Sequence, residues 1–565
     1  MILIAISWIY ILFTSINLGY ILQRLLKLEF TEFVVTAILG LFSVSILASF
    51  WAFFGRINIE FHLFLLLLNI LLGIGFRQPI ASIYKSLTLQ LQRLSSGLKV
   101  TLGVITVLLL AQCSAAPFIV DNESYYIQTV KWLNEYGMVK GLANLHFFFG
   151  QTSGWHVAQS AFSFSFLYSN FNDLSGFCLL LGNCIAFTKL HEYFSNRNFS
   201  FLIIGLLPLA NVFFFRFIGA PAPDIAIYVI SFIIFFYFLE NYKNSTVASL
   251  NLVAVLVLFA AYIKPTSITS AILPLFLLLR NFRDNLRGSY RILVLSAVIL
   301  VLFIGKSLVL TGYPLFPFPT RFFEYSPDFQ VPEKIMRYLG GDKSEAFQLS
   351  LADYEAMPIH SVLFKWLLLP GLHGLFNKSA VFLVFISPIF ILKYFNKREY
   401  WLLYLTMLLQ LVILFALSPQ YRFFMNFILF FTFLCLAPMF RNRMFVEALL
   451  YLSTFCTAVL LFIPLNYSKI TGNDLAKTTH IIPPSAILFP LENSKSDNEF
   501  KAVTTGNLQY YSPLNTEFLW QTGNGPLPCV NKLQIDFFEL YFAVTPQLRT
   551  GNISDGFYAK FTSDE

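Results

Sequence analysis

The sequence predicts an all-α protein that crosses a membrane many times. Three observations predict it. Of 565 residues, 57% are hydrophobic and only 12% charged, about half the charged share of a soluble domain. The mean hydropathy is +0.68. The apolar residues, 66 Phe among them, fall into repeated runs near the length of about 20 residues that a helical span needs.

Taken in order, the runs fall at 3–22, 32–54, 60–76, 100–118, 173–190, 199–216, 222–239, 247–262, 266–280, 292–310, 379–394, 400–417, 422–440 and 444–464, about fourteen spans. The first lacks a basic leader and a small-residue cleavage site, so it is expected as a retained span rather than a signal peptide. Residues 1–99 form a three-span extension with a basic loop, 100–464 a transmembrane core, and 465–565 a small extramembrane region. That last region is rich in Asn, Thr, Ser, Gly and Pro. The runs Ala502-Val503-Thr504 and Phe537–Val544 read as strands between turn residues. The stretch 155–168 is apolar but short and reads as a re-entrant or interfacial helix; the alternative is that it spans and a later run does not.

Basic residues orient the spans. Arg24/Lys27, Arg77/Lys85/Arg93/Lys99, Lys189/Arg197, Lys243, Arg280/Arg283/Arg287/Arg291, Lys393/Lys397/Arg398 and Arg441/Arg443 share one side if the spans alternate. The positive-inside rule makes that side the cytoplasm. Both termini and the polar stretches 119–154, 311–378 and 465–565 then face outward. The net charge of +8 belongs to these loops and is no nucleic-acid footprint. Five of six Cys lie in apolar runs and Cys529 has no polar-region partner, which excludes a disulfide framework. The sequence holds no zinc motif, P-loop, nucleophile elbow or kinase signature.

Function therefore rests on the polar exceptions, since ionisable groups at membrane depth are costly and mark sites by default. Asp121 and Glu123 directly follow the 100–118 run. Tyr126, Val130 and Leu133 then recur at helical spacing, predicting an amphipathic helix along the outer surface. Asp121 suits a helix cap as well as a site. Asp224, behind Pro221 and Pro223, opens a later span and has the same two readings. Lys264, in a tight turn before Pro265, either snorkels to water or meets a phosphate. Arg422, in Ser418-Pro419-Gln420-Tyr421-Arg422, is either an interfacial anchor or an anion-binding fork. Tyr313, in a Pro-rich turn, with Arg321 beyond it, suits a wall of a site. Tyr125, His146, Trp155 and His156 complete the candidates. Asp121 and Glu123 together could hold a hard divalent cation, but two carboxylates do not establish one.

These motifs, in their order and on one side, resemble the GT-C superfamily of membrane glycosyltransferases, in particular its protein mannosyltransferase and aminoarabinose transferase branches. There the first outer loop carries a D-E or D-x-D/E motif; here it stands as Asp121-Asn122-Glu123, followed by Tyr125. Pro223-Asp224 and Lys264-Pro265 resemble two further recurring features. The string as a whole, with GYPLFP and TGNGPLPC, is also similar to a group of large bacterial multi-spanning membrane proteins. The resemblance implies a GT-C-like bundle; the richness in Phe, Ile, Asn and Lys suits a bacterial inner membrane, and the loop charges turn the expected active site to its outer, periplasmic side. The resemblance also implies a polyprenyl-phosphate-linked sugar donor and a glycan, lipid or protein acceptor. Asp121 would be the catalytic carboxylate and act with inversion. Glu123 would hold a metal or a sugar hydroxyl, and Lys264 and Arg422 would neutralise the leaving phosphate. Two other classes stay open at this point. One is a transporter or flippase of lipid-linked glycans, for which the deeper Lys306 speaks. The other is a non-catalytic assembly protein that uses its C-terminal region.

Overall fold

The computed structural model describes residues 1–28, 32–280, 282–320, 325–341, 343–476, 482–496 and 499–562. Among them, ten helices are long and apolar enough to cross a membrane. The protein is an all-α polytopic integral membrane protein with a small mixed region at its C-terminus.

The expected runs at 247–262, 266–280 and 422–440 form the shorter apolar helices Val247–Ile263, Pro265–Arg280 and Met425–Leu436. The run at 60–76 ends in a sharp bend: Ile59–Gly75 and Arg77–Arg93 meet at 92°. Pro79 sits in the first turn of the second helix, and its ring clashes with a carbonyl one turn earlier, so a straight helix cannot run through. Arg77–Arg93 carries the amphipathic share of this pair, with only Ile80 and Ile83 buried. Residues 155–168 do not form a spanning helix. Gly154–Ser160 is a seven-residue buried helix capped by Ser153, followed by turns.

The first two helices, Ile2–Leu26 and Phe33–Ala52, set the packing style. A Cβ on Gly40 would fall 1.8 Å from the Ser15 carbonyl oxygen, and one on Gly19 would fall 1.9 Å from that of Thr36. Backbone therefore lies on backbone, the small-residue contact that apolar helices use in place of a hydrophobic drive. A buried amide pins the same contact, Gln23 donating to Thr36 Oγ1 at 2.8 Å, and another ties the first helix to Ile59–Gly75, Asn17 donating to Asn69 Oδ1 at 3.1 Å.

The basic loops come together in space. Lys189 pairs with Glu32 at 2.7 Å. Arg291 donates to Leu25 O, Arg280 to Lys243 O and Arg197 to Arg441 O. The opposite ends of the same helices carry Asp224, Lys264 and Arg422. The bundle is thus charge-sided, with a basic rim and a rim of paired acids and bases.

The C-terminal region folds over that second rim. Phe500–Thr505 pairs antiparallel with Leu508–Pro513, and Val544–Leu548 with Phe557–Phe561. The first of these strands contains the expected Ala502-Val503-Thr504. The second expected strand is corrected: Phe537–Phe542 belongs to the helix Lys532–Phe542, and extended structure starts only at Val544. Asn531 caps that helix by accepting from Leu533 N, and Gln534, Ile535 and Phe538 are buried at helical spacing. Aromatic content favours a strand, but here capping and a buried helical stripe decide. All six cysteines are free thiols.

Candidate functional site

The chain leaves the helix Ser96–Cys113 through a short irregular turn and enters a π-turn at Asn122–Tyr126 before the helix Ile127–Glu135. A π-turn widens the backbone and is found mostly at functional positions. Here it projects Asp121 to one side and Glu123 to another set of partners. The helix that follows is not a surface helix as expected. Ile127 to Val130 and Trp132 to Asn134 are buried, because the C-terminal region covers the face that would otherwise meet water. Gln128 Nε2 donates to the Gly523 and Gly525 carbonyls at 3.1 and 2.9 Å, and Lys131 Nζ to Gly525 O at 2.7 Å.

Asp121 accepts from the Arg422 guanidinium, an ion pair between residues 301 apart in sequence. Tyr126 adds a hydroxyl bond to the same carboxylate oxygen at 3.3 Å. Arg422 sits on the tight turn Tyr421–Phe423, which interrupts the apolar run just after Pro419. Its Nε donates to Gln420 Oε1 at 2.9 Å, and its carbonyl accepts from Tyr228 OH at 2.9 Å. Burial alone would raise the Asp121 carboxyl, but Arg422 and then Lys264 outweigh it and hold the group below the usual carboxylate range. Asp121 is therefore ionised at neutral pH.

Asp224 and Lys264 form a second pair beside the first. Pro223 opens the helix Pro223–Asn241 and Asp224 follows in its first turn, where the helix dipole favours an anion. Lys264 ends the helix Val247–Ile263, and Pro265 starts the next turn. The ammonium also lies 4.1 Å from the centre of the Phe423 ring, so one residue of the Arg422 turn faces Lys264. Burial lowers the Lys264 ammonium, and Asp224 offsets this only in part.

Beside them lies a cleft lined by Asp224, Lys264, Thr266, Gln410, Arg422 and Asn426, with a cavity volume of about 10 Å³. That is room for about one water. Gln410 bridges the Thr266 carbonyl at 2.9 Å and the Phe423 carbonyl at 3.4 Å. It ties together the two turns that carry the cations.

The remaining candidates separate. Glu123 is buried, and its carboxylate accepts from Ser494 Oγ at 2.6 Å, Lys495 N at 3.0 Å and Asn122 Nδ2 at 3.2 Å. Its own carbonyl accepts from Thr522 N and Gly523 N at 2.8 Å each. Burial raises this carboxyl, and those hydrogen bonds only partly counter it. Glu123 thus anchors the C-terminal region. Among the described residues no group of three or more His, Cys, Asp or Glu side chains could hold a metal ion, and Asp121 and Glu123 are each engaged by other partners.

Tyr125 donates to Gln151 Oε1 at 3.1 Å, and its ring packs edge-on to Tyr126. His156 lies against Tyr126 with ring centres 4.8 Å apart. Its Nδ1 accepts from Ser153 N at 3.2 Å, which leaves the proton of the neutral ring on Nε2, and that atom is buried without a partner. Burial, with Lys306 nearby, lowers His156 to about 3. Trp155 is a core residue that donates to Ser175 Oγ at 3.1 Å. His146 caps the turn Phe147–Gln151, and its other ring nitrogen meets Trp520 O at 3.2 Å. Tyr313 is buried, and its carbonyl accepts from Ser307 Oγ at 2.8 Å. Arg321 lies outside the described residues. Lys306, buried in its helix, donates to the Thr152 carbonyl, so the outer loop engages it.

Sequence reasoning missed Gln410. It lies inside a run expected as a span, and a polar side chain there is a signal in itself.

The chain belongs to the family described as "Domain of unknown function (DUF8201)", whose model matches residues 1–429. That match contains Asp121, Asp224, Lys264 and Arg422, and ends before the C-terminal region. No curated protein matches the chain.

Proposed function

We propose that this protein is an integral-membrane glycosyltransferase of the GT-C type. It moves a sugar from a polyprenyl-phosphate donor to a glycan, lipid or protein acceptor on the extracytoplasmic side of a bacterial inner membrane. The observation that carries this reading is convergence. Asp121 and Arg422, 301 residues apart, pair with each other beside the Asp224–Lys264 pair. Simple capping or snorkelling gives each residue a private local partner and no reason to meet.

In this reading the bundle has fourteen crossings, counting the bent pair and the three shorter helices, with both termini and the paired rim outside. The donor's phosphate enters at Arg422 and Lys264. Asp121, released from Arg422, takes the proton of the acceptor hydroxyl. The acceptor oxygen forms the new bond to the anomeric carbon. The bond from that carbon to the phosphate oxygen breaks, and its electron pair stays on the phosphate, where the cations stabilise it as charge grows. Attack from the face opposite the phosphate inverts the anomeric centre. Tyr126 and Tyr228 hold Asp121 and Arg422 in place.

The test is transfer from a polyprenyl-phosphate sugar in proteoliposomes. Asp121→Asn is expected to fold and insert normally while transfer falls by roughly 10²–10⁴, the range for loss of a positioned acid–base group. Lys264→Ala and Arg422→Ala are expected to weaken donor use. Wild-type transfer by Asp121→Asn would remove that carboxylate from the chemistry, and unchanged donor kinetics in both cation variants would remove the phosphate role.

A further inference from the structure

A second cavity lies just ahead of the span Gly371–Phe395. Its volume is about 620 Å³, within the range of about 300–1,000 Å³ usual for ligand pockets. One wall is a single face of the helix Ile359–Leu367 and the residue after it: His360, Ser361, Phe364, Lys365 and Leu368. The opposite stripe of that helix, Val362 and Trp366, is buried. There the Trp366 indole donates to the Pro419 carbonyl at 2.9 Å, so the cavity and the turn carrying Arg422 share one helix.

The lining changes character along the helix. The first turn brings His360 and Ser361, the middle Lys365, and the end Leu368 followed by Leu369 and Pro370. The apolar end leads straight into the span, where Leu375, Phe382 and Ile389 recur every seven residues and are exposed, as the lipid-facing side of a span must be. Phe364 and Leu368 are exposed in the same way and carry that surface up into the cavity. The span has 25 residues, about 38 Å of helix against a hydrocarbon core of about 30 Å. Its first turns therefore reach the headgroup layer, and the cavity sits at that depth. Lys365 is exposed and, among the described residues, meets no carboxylate. A water-soluble ligand would leave the apolar end unmatched, and a pure hydrocarbon would leave the ammonium unmatched. We propose that this groove binds a membrane phospholipid with an anionic headgroup. One acyl chain lies along Phe364, Leu368 and Leu369, the phosphate meets Lys365, and His360 and Ser361 supply further hydrogen bonds. The site stands independently of the transfer reading.

The test uses the full-length protein in detergent with a trace of phosphatidylglycerol that carries a diazirine in one acyl chain. Irradiation and peptide mapping are expected to place saturable label within 357–370. Unlabelled phosphatidylglycerol should displace it, and phosphatidylcholine of the same chains should need about 2–5-fold more, the worth of one exposed ion pair. Lys365→Gln should abolish that preference. Leu368→Gln should weaken both lipids about 3–10-fold, since about half of a leucine's transfer free energy is at stake. Both side chains are exposed, so the variants are expected to fold like wild type, and the competition in wild type decides the matter without them. Label that rises without saturation and spreads over exposed span residues such as Phe382 and Phe455 would overturn the site. Equal displacement of the label from wild type by the two lipids, or an unchanged preference in Lys365→Gln, would overturn the headgroup assignment. Displacement by a polyprenyl phosphate at lower concentration than phosphatidylglycerol would give the groove to a different lipid and overturn the proposal. Asp121→Asn should label like wild type, so failure of the transfer reading and failure of this one give different results.

Discussion

Replacing Lys264 by Met leaves the Asp224 carboxyl without its cation in a place that water barely reaches: its side chain is 2% exposed, against 16% for Lys264. Breaking a buried pair from one side costs about 3–5 kcal/mol, whereas replacing both partners by uncharged groups of similar volume is often neutral or stabilising. Lys264→Met keeps the length of the stem, and Asp224→Asn keeps the shape of the carboxyl. Arg422 also acts on Asp224, so it partly compensates the orphaned carboxylate, and each single variant is expected near the lower bound, about 3 kcal/mol. The double variant should recover most of that loss. Equilibrium unfolding in mixed micelles, run on wild type, both singles and the double, gives the coupling directly, and a value above about 2 kcal/mol is expected. Single losses that add within about 0.5 kcal/mol, the behaviour of independent sites, would refute the view that the two residues form one desolvated unit.

Stability should fall as pH drops below about 6.5. His156 has its folded value lowered to about 3 from an ordinary 6.5, so its contribution is fully present above 6.5 and is lost as pH falls toward 3. Between pH 6.5 and 5 this amounts to about 2 kcal/mol. His156→Gln, which keeps the N3 acceptor of the Ser153 cap, should flatten that part of a stability–pH curve, and an unchanged slope would show that His156 is not the group responsible. Glu123→Ala removes the acceptor for Ser494 and Lys495 and should speed proteolytic cleavage within 482–530, while the transmembrane helices stay protected. Gly40→Leu should prevent close packing of the first two helices, since even a Cβ would fall 1.8 Å from Ser15 O; a wild-type yield of folded, monodisperse protein would contradict that contact.

The cluster was legible as a set of residues, but its pairing was not. In a chain with 12% charged residues, an acid or base on the less basic side stands out, and that alone selected Asp121, Asp224, Lys264 and Arg422. Which acid meets which base depends on helix packing across hundreds of residues, which periodicity does not encode. Glu123 shows the limit. Its sequence neighbourhood matches that of Asp121, yet a π-turn sends it to Ser494, 371 residues away. The helix Lys532–Phe542 was hidden for a different reason. Its aromatic residues match strand statistics, and only the Asn531 cap and its buried face against the outer loop select helix. Gln410 escaped because it was counted inside an apolar run, where its amide was the informative feature.

The two ion pairs on the rim are not equivalent, and their difference separates fold from chemistry. The Asp121 and Arg422 side chains are 21% and 24% exposed, while Asp224 is almost sealed. A surface-side pair has its attraction weakened by water and separates at modest cost, whereas the inner pair does not. The cleft beside Asp224, Lys264 and Arg422 has room for about one water, so a larger ligand there would need Arg422 or its neighbours to move. The turn bearing Arg422 is suited to that movement. It is three residues long, follows a proline, and is held mainly by Tyr228, Gln410 and the Trp366–Pro419 bond at 2.9 Å. In the transfer reading proposed above, an anion arriving beside Arg422 would take over the guanidinium and leave Asp121 without its cation. Without that cation, burial would raise the carboxyl toward the range of a useful base. The ion pair that keeps Asp121 a weak base in the resting protein is thus also the element through which a phosphate ligand would activate it.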